Sequence, residues 1–443
     1  MQQTLQLLHE IVWGPWTMLL FLGTGLFFTV KSGGFQIRKL PYWWKKTVGS
    51  LGNGSISSFQ TSCTALAATI GTGNIVGVAT ALTVGGPGAV FWLWISALIG
   101  MATAYTETSL GQKYRYRGPD GAWQCGPMVS MERGLGCRSM GLLYALFAVL
   151  ASLGMGSMVQ ANAVSETLCY EAGMKQEIAA VLVTALTAAV VWGGIRRISR
   201  MTCWFVPLSA GIYFFFSVWA LVVCRRSIPV VLGQILKEAW APGAAGGGIA
   251  GFLFSRSVRF GLARGVFSNE AGLGTLAVLH GAAEDTTPEE QGMWVMFEVF
   301  VDTIVICSCT AMIMLLAPQE MMKGLEGMEL LQSAMSWHLG QFGVIFIAVI
   351  LWLFSFSTFL GILFYARSNV AYLFGDNWVS QTSYKVLALV MLFIGGLAAY
   401  TFVWELGDVG IGLMTIFNMA AILKLSGKAS NCLKEYENNK KGL

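Results

Sequence analysis

Two stretches of small and polar residues interrupt apolar runs of the chain, and both contain groups that can bind charged molecules or ions. The first is Gly71-Thr72-Gly73-Asn74, and the second is Ser268-Asn269-Glu270 followed by Gly272 and Gly274. Glycine weakens a helix wherever it occurs in the interior. A helix interrupted in this way exposes N–H groups that can hold a carboxylate and carbonyl groups that can coordinate a cation.

The elements that carry these residues are predicted to be transmembrane helices. Of the 443 residues, 55% are hydrophobic and only 12% are charged, about half the charge of a soluble globular chain. So little polar surface excludes a soluble enzyme, a disordered chain and a nucleic-acid-binding protein. The nine Cys and three His residues form no metal-ligand pattern, which argues against a zinc site.

Eleven stretches are long and apolar enough to span a membrane, for which about 20 residues are needed. They are residues 11–30, 59–82, 88–112, 140–162, 178–194, 203–224, 248–280, 291–317, 341–366, 383–401 and 404–424. With the N-terminus outside, twenty of the 28 Lys and Arg residues lie in segments that face the cytoplasm, and five lie outside. This distribution obeys the positive-inside rule and predicts a multi-pass protein of the plasma (inner) membrane with a cytoplasmic C-terminus.

The spans divide into one N-terminal helix (11–30) and two groups of five (59–224 and 248–424). An odd number of spans in each group gives the two groups opposite orientations, as in an inverted repeat. Any ten spans can be divided in this way, so the stronger evidence is that both breaks fall in the first helix of their group. We expect an all-α integral membrane fold of about 11 transmembrane helices, a 5+5 inverted repeat plus one extra N-terminal helix, in a single domain over 1–443 that ends in a polar tail (427–443).

The two breaks also allow a structural explanation. A single glycine pair is explained equally well by close packing of small residues between helices. Two breaks at corresponding positions, both with Asn and hydroxyl side chains, favour a binding site, because broken helices persist in a membrane only where their backbone is buried or lines a cavity. A dinucleotide fingerprint at Gly71-Thr72-Gly73 is excluded, since no βαβ unit surrounds it.

Several motifs resemble the alanine/glycine:cation symporter family. They are TALAATIGTGNIVGVATALTVGGPGAVFWLWISALIGMATAYTETSL (64–110), VQAN (159–162), GGIRRISR (193–200), RGVFSNEAGLGT (264–275) and VDTIVICSCTA (301–311). The match runs in order along the whole chain. The resemblance implies a leucine-transporter-like fold in a single transporter domain that imports alanine, glycine or a close relative together with Na⁺. It also implies a lipid-embedded transporter that needs no organic cofactor, is not an enzyme and works as a monomer.

The resemblance further implies which residues bind the amino acid. The first break would hold its carboxylate through the backbone of Thr72 and Gly73, helped by the Thr69 and Thr72 hydroxyls and with Asn74 beside them. Gln160 would reach the polar head of the substrate. The side-chain pocket would be walled by three residues of the second break: Ala271, Leu273 and Gly274. The family usually has Met at the position of Leu273 and Ser-Ala-Pro at Thr275-Leu276-Ala277, so this chain departs from the pattern where selectivity is set.

By analogy with the wider superfamily, one Na⁺ would lie between the first and eighth helices of the repeat unit. Its ligands would be the carbonyl groups of Ala67, Ile70 and Phe354 and the hydroxyl groups of Ser357 and Thr358. Neutral oxygen ligands suit a weakly held monovalent cation that must leave again. Adjacent hydroxyls in an apolar helix are otherwise satisfied by carbonyls of the preceding turn.

Charged residues inside spans leave further alternatives open. Glu107, Glu270 and Asp302 lie within predicted spans, where ionisable groups indicate function. Paired structural charges or gate contacts are favoured over direct substrate binding, and for Asp302 ion coupling and helix packing are equal alternatives. An Arg264–Glu270 pair lacks the helical i,i+4 spacing. Proton coupling through one of these carboxylates is the main alternative function, and a channel or an intramembrane enzyme is a remote one.

Overall fold

The computed structural model describes residues 2–48, 56–118, 121–191, 195–240 and 256–429, and most of them are helical. The helices are Gln2–Val12, Pro15–Lys31, Phe35–Arg38, Leu40–Lys46, Ile56–Thr69, Val78–Gly85, Gly88–Tyr114, Pro127–Val129, Arg138–Ala151, Gln160–Ala172, Gln176–Val191, Ile195–Val223, Ile228–Ala239, Arg256–Asn269, Thr275–Gly281, Pro288–Val299, Ser308–Leu316, Gln319–Met322, Gly327–Leu339, Gln341–Phe374, Trp378–Leu397 and Tyr400–Lys424. Four π-helical segments join some of them: Gly73–Gly77, Ser130–Gly134, Ser152–Val159 and Phe300–Cys307. Within the described ranges, the only sheet is an antiparallel pair of two-residue strands, Tyr116–Arg117 and Trp123–Gln124.

Eight helices of the described chain are long and apolar enough to cross a membrane. A ninth span is counted if the pair Ser58–Thr69 and Gly73–Gly85, bent by 52°, crosses as one. The protein is therefore all-α and membrane-embedded, as predicted. Two predicted spans are not among these nine: 178–194 corresponds to the 16-residue helix Gln176–Val191, and 248–280 to two shorter helices on either side of a break.

Parts of several predictions lie outside the described residues. These parts are residues 248–255 of the seventh predicted span, residues 193 and 194 of the GGIRRISR motif, and residues 430–443 of the polar tail. The total of eleven spans and the inverted repeat therefore stay predictions.

The helix Gly88–Tyr114 lies at the centre of the fold. It has no distinct polar face, and most of its residues are buried, as expected for a helix that is surrounded by others. The N-terminal helix Pro15–Lys31 packs against one face of it, where Gly25 meets Ile99. The helices Arg256–Asn269 and Pro288–Val299 pack against other faces. This central helix thereby joins the N-terminal helix to the second half of the chain.

The long helix Gln341–Phe374 packs closely against Ile56–Thr69. Gly361 makes this approach feasible, because a Cβ atom there would lie 2.6 Å from the Ala68 nitrogen. The contact places Thr358, about one turn earlier in the long helix, beside the residues that follow Thr69. Packing between two glycine- and alanine-lined surfaces therefore positions the side chains at the first break.

Candidate functional site

The first break consists of residues 70–72, between the helix that ends at Thr69 and the π-helical turn that begins at Gly73. The Gly71 N–H donates to Asn74 Oδ1 at 2.8 Å, so the break is capped by its own side chain. A Cβ atom at Gly71 would overlap the Thr358 side chain, and one at Gly73 would lie 3.1 Å from Phe267 Cδ1. Glycine is therefore required at position 71, whereas a side chain at position 73 would need the Phe267 ring to shift by a few tenths of an ångström.

Four of the predicted sodium ligands form two hydrogen-bonded pairs, one between two helices and one within a single helix. Thr358 Oγ1 donates to the Ile70 carbonyl at 3.1 Å, across the interface between two helices. On the adjacent residue, Ser357 Oγ donates to the Phe354 carbonyl at 2.9 Å. Ala67 is fully buried, one turn before the break. These oxygens are neutral and buried, as the chemistry of a weakly held Na⁺ requires.

Two buried polar atoms near the first break have no hydrogen-bond partner among the described residues. They are Thr72 Oγ1 and Gln160 Oε1, on side chains that are at most 3% exposed. Gln160 donates its amide N–H to the Met155 carbonyl at 3.1 Å, which leaves the oxygen available. Both atoms are therefore available to a bound molecule.

Helix packing indicates that Gln160 lies level with the first break. Gly156 lies against Ile362 of the long helix, and Gly141, earlier in the same helix as Gly156, lies against Tyr372, further along the long helix. The two helices therefore run antiparallel. One turn beyond the Gly156 contact, Gln160 comes to the level of Thr358. The remaining predicted group, Thr69 Oγ1, lies 3.5 Å from the Leu66 carbonyl.

Asn74 links the first break to a buried carboxylate. Its Nδ2 lies 2.7 Å from Asp302 Oδ1 and 3.2 Å from the Asp302 carbonyl. Ser268 donates to Asp302 Oδ2 at 2.7 Å, and Thr303 donates to the same oxygen at 2.9 Å. Asp302 lies in a π-helical segment, and π-turns are frequent at functional sites. The carboxylate therefore joins the first break to the helix that precedes the second.

At the second break, residues 270–274, side chains of the protein bond to backbone groups that the break exposes. Glu270 has a positive φ of 54°, a strained conformation for a residue with a side chain. The Ala271 N–H donates to Asn269 Oδ1 at 3.0 Å, and the Leu273 carbonyl accepts from Tyr144 Oη at 2.7 Å. Gly272 donates to Glu107 Oε1 at 3.3 Å. Backbone groups freed by this break are thus bonded to side chains.

Further contacts hold the second break in place. Asn418 Nδ2 donates to both Glu107 Oε2, at 2.6 Å, and the Gly272 carbonyl, at 2.9 Å. Thr275 Oγ1 donates to Glu270 Oε2. A Cβ atom at Gly274 would lie 3.2 Å from Asn418 Cγ. Sequence reasoning missed Asn418 and Tyr144, since neither lies near the break in the chain.

Arg264 pairs with Asp408 rather than with Glu270. His9, on the helix Gln2–Val12, lies 3.2 Å from the same carboxylate oxygen, Asp408 Oδ2. Both members of the ion pair are only 4% exposed. Sequence reasoning missed Asp408, although an ionisable residue inside the predicted span 404–424 was an available signal.

A second buried cluster surrounds His280, near the end of the helix that follows the second break. Its two ring nitrogens lie 2.7 Å from Gln291 Oε1 and 2.8 Å from Glu298 Oε2. Gln291 in turn donates to Ser58, at the start of the first broken helix, at 2.9 Å. The cluster therefore connects both broken helices on the side opposite to Arg264.

The sequence and its structure can now be compared with known proteins. The sequence profile of the sodium:alanine symporter family matches residues 1–442. The chain belongs to this family. The family consists of transporters, and the solved structures similar to this chain are transporters too. The chain is therefore a membrane transporter and not an enzyme.

Similar family members have differing names. The chain is 37% identical to the "Sodium/alanine symporter AgcS" of Methanococcus maripaludis over 95% of this chain and 93% of that protein. It is 34% identical to the "Probable sodium/glutamine symporter GlnT" of Bacillus subtilis, over 100% and 92% of the two chains. The family thus includes proteins named for different amino acids.

Solved structures show the same fold at low sequence identity. A Na⁺-coupled sialic acid symporter in a substrate-bound outward-open state matches with a TM-score of 0.52 at 13% identity, over 94% of this chain and 83% of that one. A mutant of the Eremococcus coleocola manganese transporter matches with a TM-score of 0.53 at 14% identity, over 86% and 80%. At these identities the likeness concerns the fold alone.

Proposed function

We propose that this transporter imports a small neutral amino acid, alanine or glycine, together with Na⁺ by alternating access. The observation that carries the proposal is the first break. There, an orphaned hydroxyl at Thr72 and an orphaned amide oxygen at Gln160 lie near the N-terminus of a half-helix. The first N–H groups of a helix have no partner within it. Donors for a carboxylate and an acceptor for an ammonium group match the two ends of an amino acid.

In this proposal the substrate carboxylate binds the N–H groups of Thr72 and Gly73, the Thr72 hydroxyl, and the nearby Thr69 hydroxyl. Gln160 Oε1 accepts from the ammonium group. Asn74 stabilises the first break, because its side-chain amide already bonds to the Gly71 N–H and to Asp302.

The substrate side chain must be small, since Gly71 and Gly73 are closely covered by Thr358 and Phe267. Ala271, Leu273 and Gly274, in the turn of the second break, would wall the pocket for that side chain.

Sodium would bind the Ala67, Ile70 and Phe354 carbonyls and the Ser357 and Thr358 hydroxyls. The bond from Thr358 Oγ1 to the Ile70 carbonyl supports this proposal, because it pairs two of these oxygens across the helix interface. Because Ile70 is part of the first break, an ion there would stabilise the same closed arrangement as the substrate and raise its affinity. One charge moving inward through 100 mV releases about 2.3 kcal/mol, which drives uptake.

Alternating access would use the two buried clusters as gates. Arg264 and Asp408 join helices on one side of the breaks, and His280 and Glu298 join them on the other. Positive-inside counting places the first cluster on the outer side, with the N-terminus outside and the C-terminus cytoplasmic. Eleven spans, the 5+5 inverted repeat and a monomeric unit in the plasma (inner) membrane complete the proposal.

Proton coupling is the second candidate, and a specific observation favours it. Glu107, Glu270 and Asp302 are buried, and no ion pair within the described part of the chain includes them. A buried carboxylate without a counter-ion is strongly disfavoured unless it is protonated or binds a cation. One of the three could therefore carry a proton instead of supporting the fold.

The experiment is uptake of labelled L-alanine into proteoliposomes with an imposed inward gradient of Na⁺, K⁺ or H⁺. We expect accumulation with Na⁺ alone, competed by glycine and lost in Gln160→Ala. Gln381→Ala is the matched control, since this glutamine donates to the Arg367 carbonyl near the far end of the long helix. Accumulation driven by H⁺ would favour the carboxylates, and uptake unaffected by Gln160→Ala would refute the site.

A further inference from the structure

An open cleft of about 680 Å³ lies on the side that positive-inside counting assigns to the exterior. Its lining includes Glu166, Glu326, Glu329 and Tyr400 but no Lys or Arg. Such an acidic entrance repels simple anions and attracts cations. Tyr400 lies at the inner end of the cleft, where its hydroxyl bonds to Thr80 at 2.8 Å.

A column of aromatic rings leads from Tyr400 to the first break. The Tyr400 ring centroid lies 5.7 Å from that of Trp404. Trp404 in turn stacks on Phe267 with 4.9 Å between ring centroids. Phe267 covers Gly73, where a Cβ atom would lie 3.1 Å from the phenyl ring. The cleft and the first break are therefore separated by three aromatic side chains and the groups beside them.

Unsatisfied polar groups lie directly beside this column. The Arg264 guanidinium carbon lies 5.0 Å from the Trp404 ring centroid and 5.4 Å from that of Phe267. Its Nη2 pairs with Asp408 Oδ2, which also meets His9. However, Arg264 Nε and Nη1, Trp404 Nε1 and Asp408 Oδ1 have no partner among the described residues. The side chains of these three residues are at most 5% exposed.

These atoms are complementary to the polar groups of a free amino acid. Three N–H donors on Arg264 and Trp404 can hold a carboxylate, for which a guanidinium and an indole N–H are strong partners. One free carboxylate oxygen on Asp408 can accept from an ammonium group. A sodium ion does not fit, because the Arg264 charge would repel it. A simple anion such as chloride leaves Asp408 unsatisfied and is opposed by the three glutamates of the cleft.

We propose that Arg264, Trp404 and Asp408 form an outer subsite that binds the zwitterionic amino acid before it reaches the first break. This inference rests on the proposed amino-acid transport. The subsite becomes accessible when the Tyr400–Thr80 contact opens to the cleft. The substrate then moves past the Trp404–Phe267 stack, and the closing of that stack separates the two positions.

The test uses Trp404→Phe, which keeps the stacked ring and removes only the N–H donor. Trp94→Phe is the matched control, because that indole N–H bonds to Ser308 at 2.7 Å, away from the column. In Na⁺-driven uptake at low alanine concentration, we expect Trp404→Phe to lower kcat/KM about tenfold, the effect of losing a hydrogen bond to a charged group. The dissociation constant of alanine in Na⁺ should stay unchanged, as should all constants of Trp94→Phe.

Arg264→Lys provides a second variant that retains the positive charge opposite Asp408 but removes the two unsatisfied donors. It should lower kcat/KM at least as much as Trp404→Phe. Unchanged kcat/KM in both variants would overturn the subsite. A dissociation constant that rises in step with the loss of kcat/KM would overturn it too, since the residues would then act on the central site.

A readout without transport separates this inference from the proposed function. Alanine, which carries both charged groups, should raise the Tm of the wild type and of Trp94→Phe in sodium-free potassium buffer. It should not raise that of Trp404→Phe. An equal effect of alanine in Trp404→Phe, or an equal effect of propionate, which lacks the ammonium group, on the wild type would overturn the subsite. A wild type that takes up no alanine would instead overturn the proposed function, and the Tm measurement with alanine would still decide this inference.

Discussion

The two helix breaks have similar sequences but differ in how the rest of the protein bonds to them. At the second break, Asn269, Glu107, Asn418 and Tyr144 bond to the exposed backbone groups. At the first break, the protein caps Gly71 but leaves Thr72 Oγ1 without a partner. Glu270 Oε1 at the second break also lacks a partner, so the breaks differ in that distant side chains bond to the backbone of the second, whereas the open hydroxyl of the first lies at the start of a half-helix. Similar glycine patterns thus acquire different roles from the helices packed around them.

The largest effect is expected for Gly71→Ala. The added methyl group would overlap Thr358 and force the Ile70 carbonyl and the Thr358 hydroxyl apart. We expect Na⁺-driven alanine uptake to fall to background, whereas Gly23→Ala should transport normally because nothing lies within 4 Å of its added methyl group. Initial rates in proteoliposomes measure both. Normal uptake by Gly71→Ala would show that the first break does not hold the ion.

Thr72→Val tests the first break without adding volume. The hydroxyl is unsatisfied in the closed protein, so its loss should leave Tm unchanged while uptake falls roughly 10- to 100-fold, as for a lost hydrogen bond to a charged group. Thr415→Val removes a buried hydroxyl that bonds within its own helix, to the Ile411 carbonyl, and serves as control. A lower Tm with retained uptake would assign Thr72 to the fold instead.

A Thr-to-Val change at the second break should lower Tm and largely preserve uptake, the reverse of the outcome expected for Thr72→Val. Thr275→Val removes the donor to Glu270 Oε2 and leaves a buried carboxylate without its partner. We expect a loss of stability of about 1–3 kcal/mol, seen as a lower Tm, with uptake per folded molecule within a few-fold of the wild type. Uptake lost at unchanged Tm would mean that the second break also contacts the substrate.

The smallest effect is expected for Glu107→Gln. The new side-chain amide keeps an oxygen that can accept from the Gly272 N–H. Its NH₂ group, however, faces the NH₂ group of Asn418, so the Asn418 amide must rotate. Uptake should change less than about threefold, comparable with loss of a single neutral hydrogen bond, and should still require Na⁺. Loss of H⁺-driven uptake in this variant would identify Glu107 as a proton carrier and would erase the contrast between the breaks.

Several features of the fold followed directly from the sequence. Composition and hydropathy predicted an all-α membrane protein, and nine of the eleven predicted spans correspond to the apolar spans of the described chain. Glycine and polar residues predicted both breaks, which occur at residues 70–72 and 270–274. These predictions succeed because the bilayer restricts the chain to helices of nearly fixed length, and because glycine weakens a helix wherever it occurs.

The partners of the charged residues could not be inferred from the sequence. Arg264 bonds to Asp408, which lies 144 positions later, rather than to nearby Glu270. Asn418 reaches Glu107 across 311 positions. Local spacing predicts contacts within one helix, whereas these contacts depend on which helix faces pack together. Neither hydropathy nor family motifs specify that packing residue by residue.

The sequence by itself determined that the chain is helical, crosses a membrane, belongs to a family of transporters and contains two interrupted helices. These properties depend on composition, on local backbone preference and on motifs that are continuous in the chain. Only the tertiary structure decided that distant side chains bond to the backbone of the second break and that Thr72 Oγ1 of the first break is left without a partner. A buried donor or acceptor is satisfied or left open by side chains from distant helices, and their approach is a property of the packed fold.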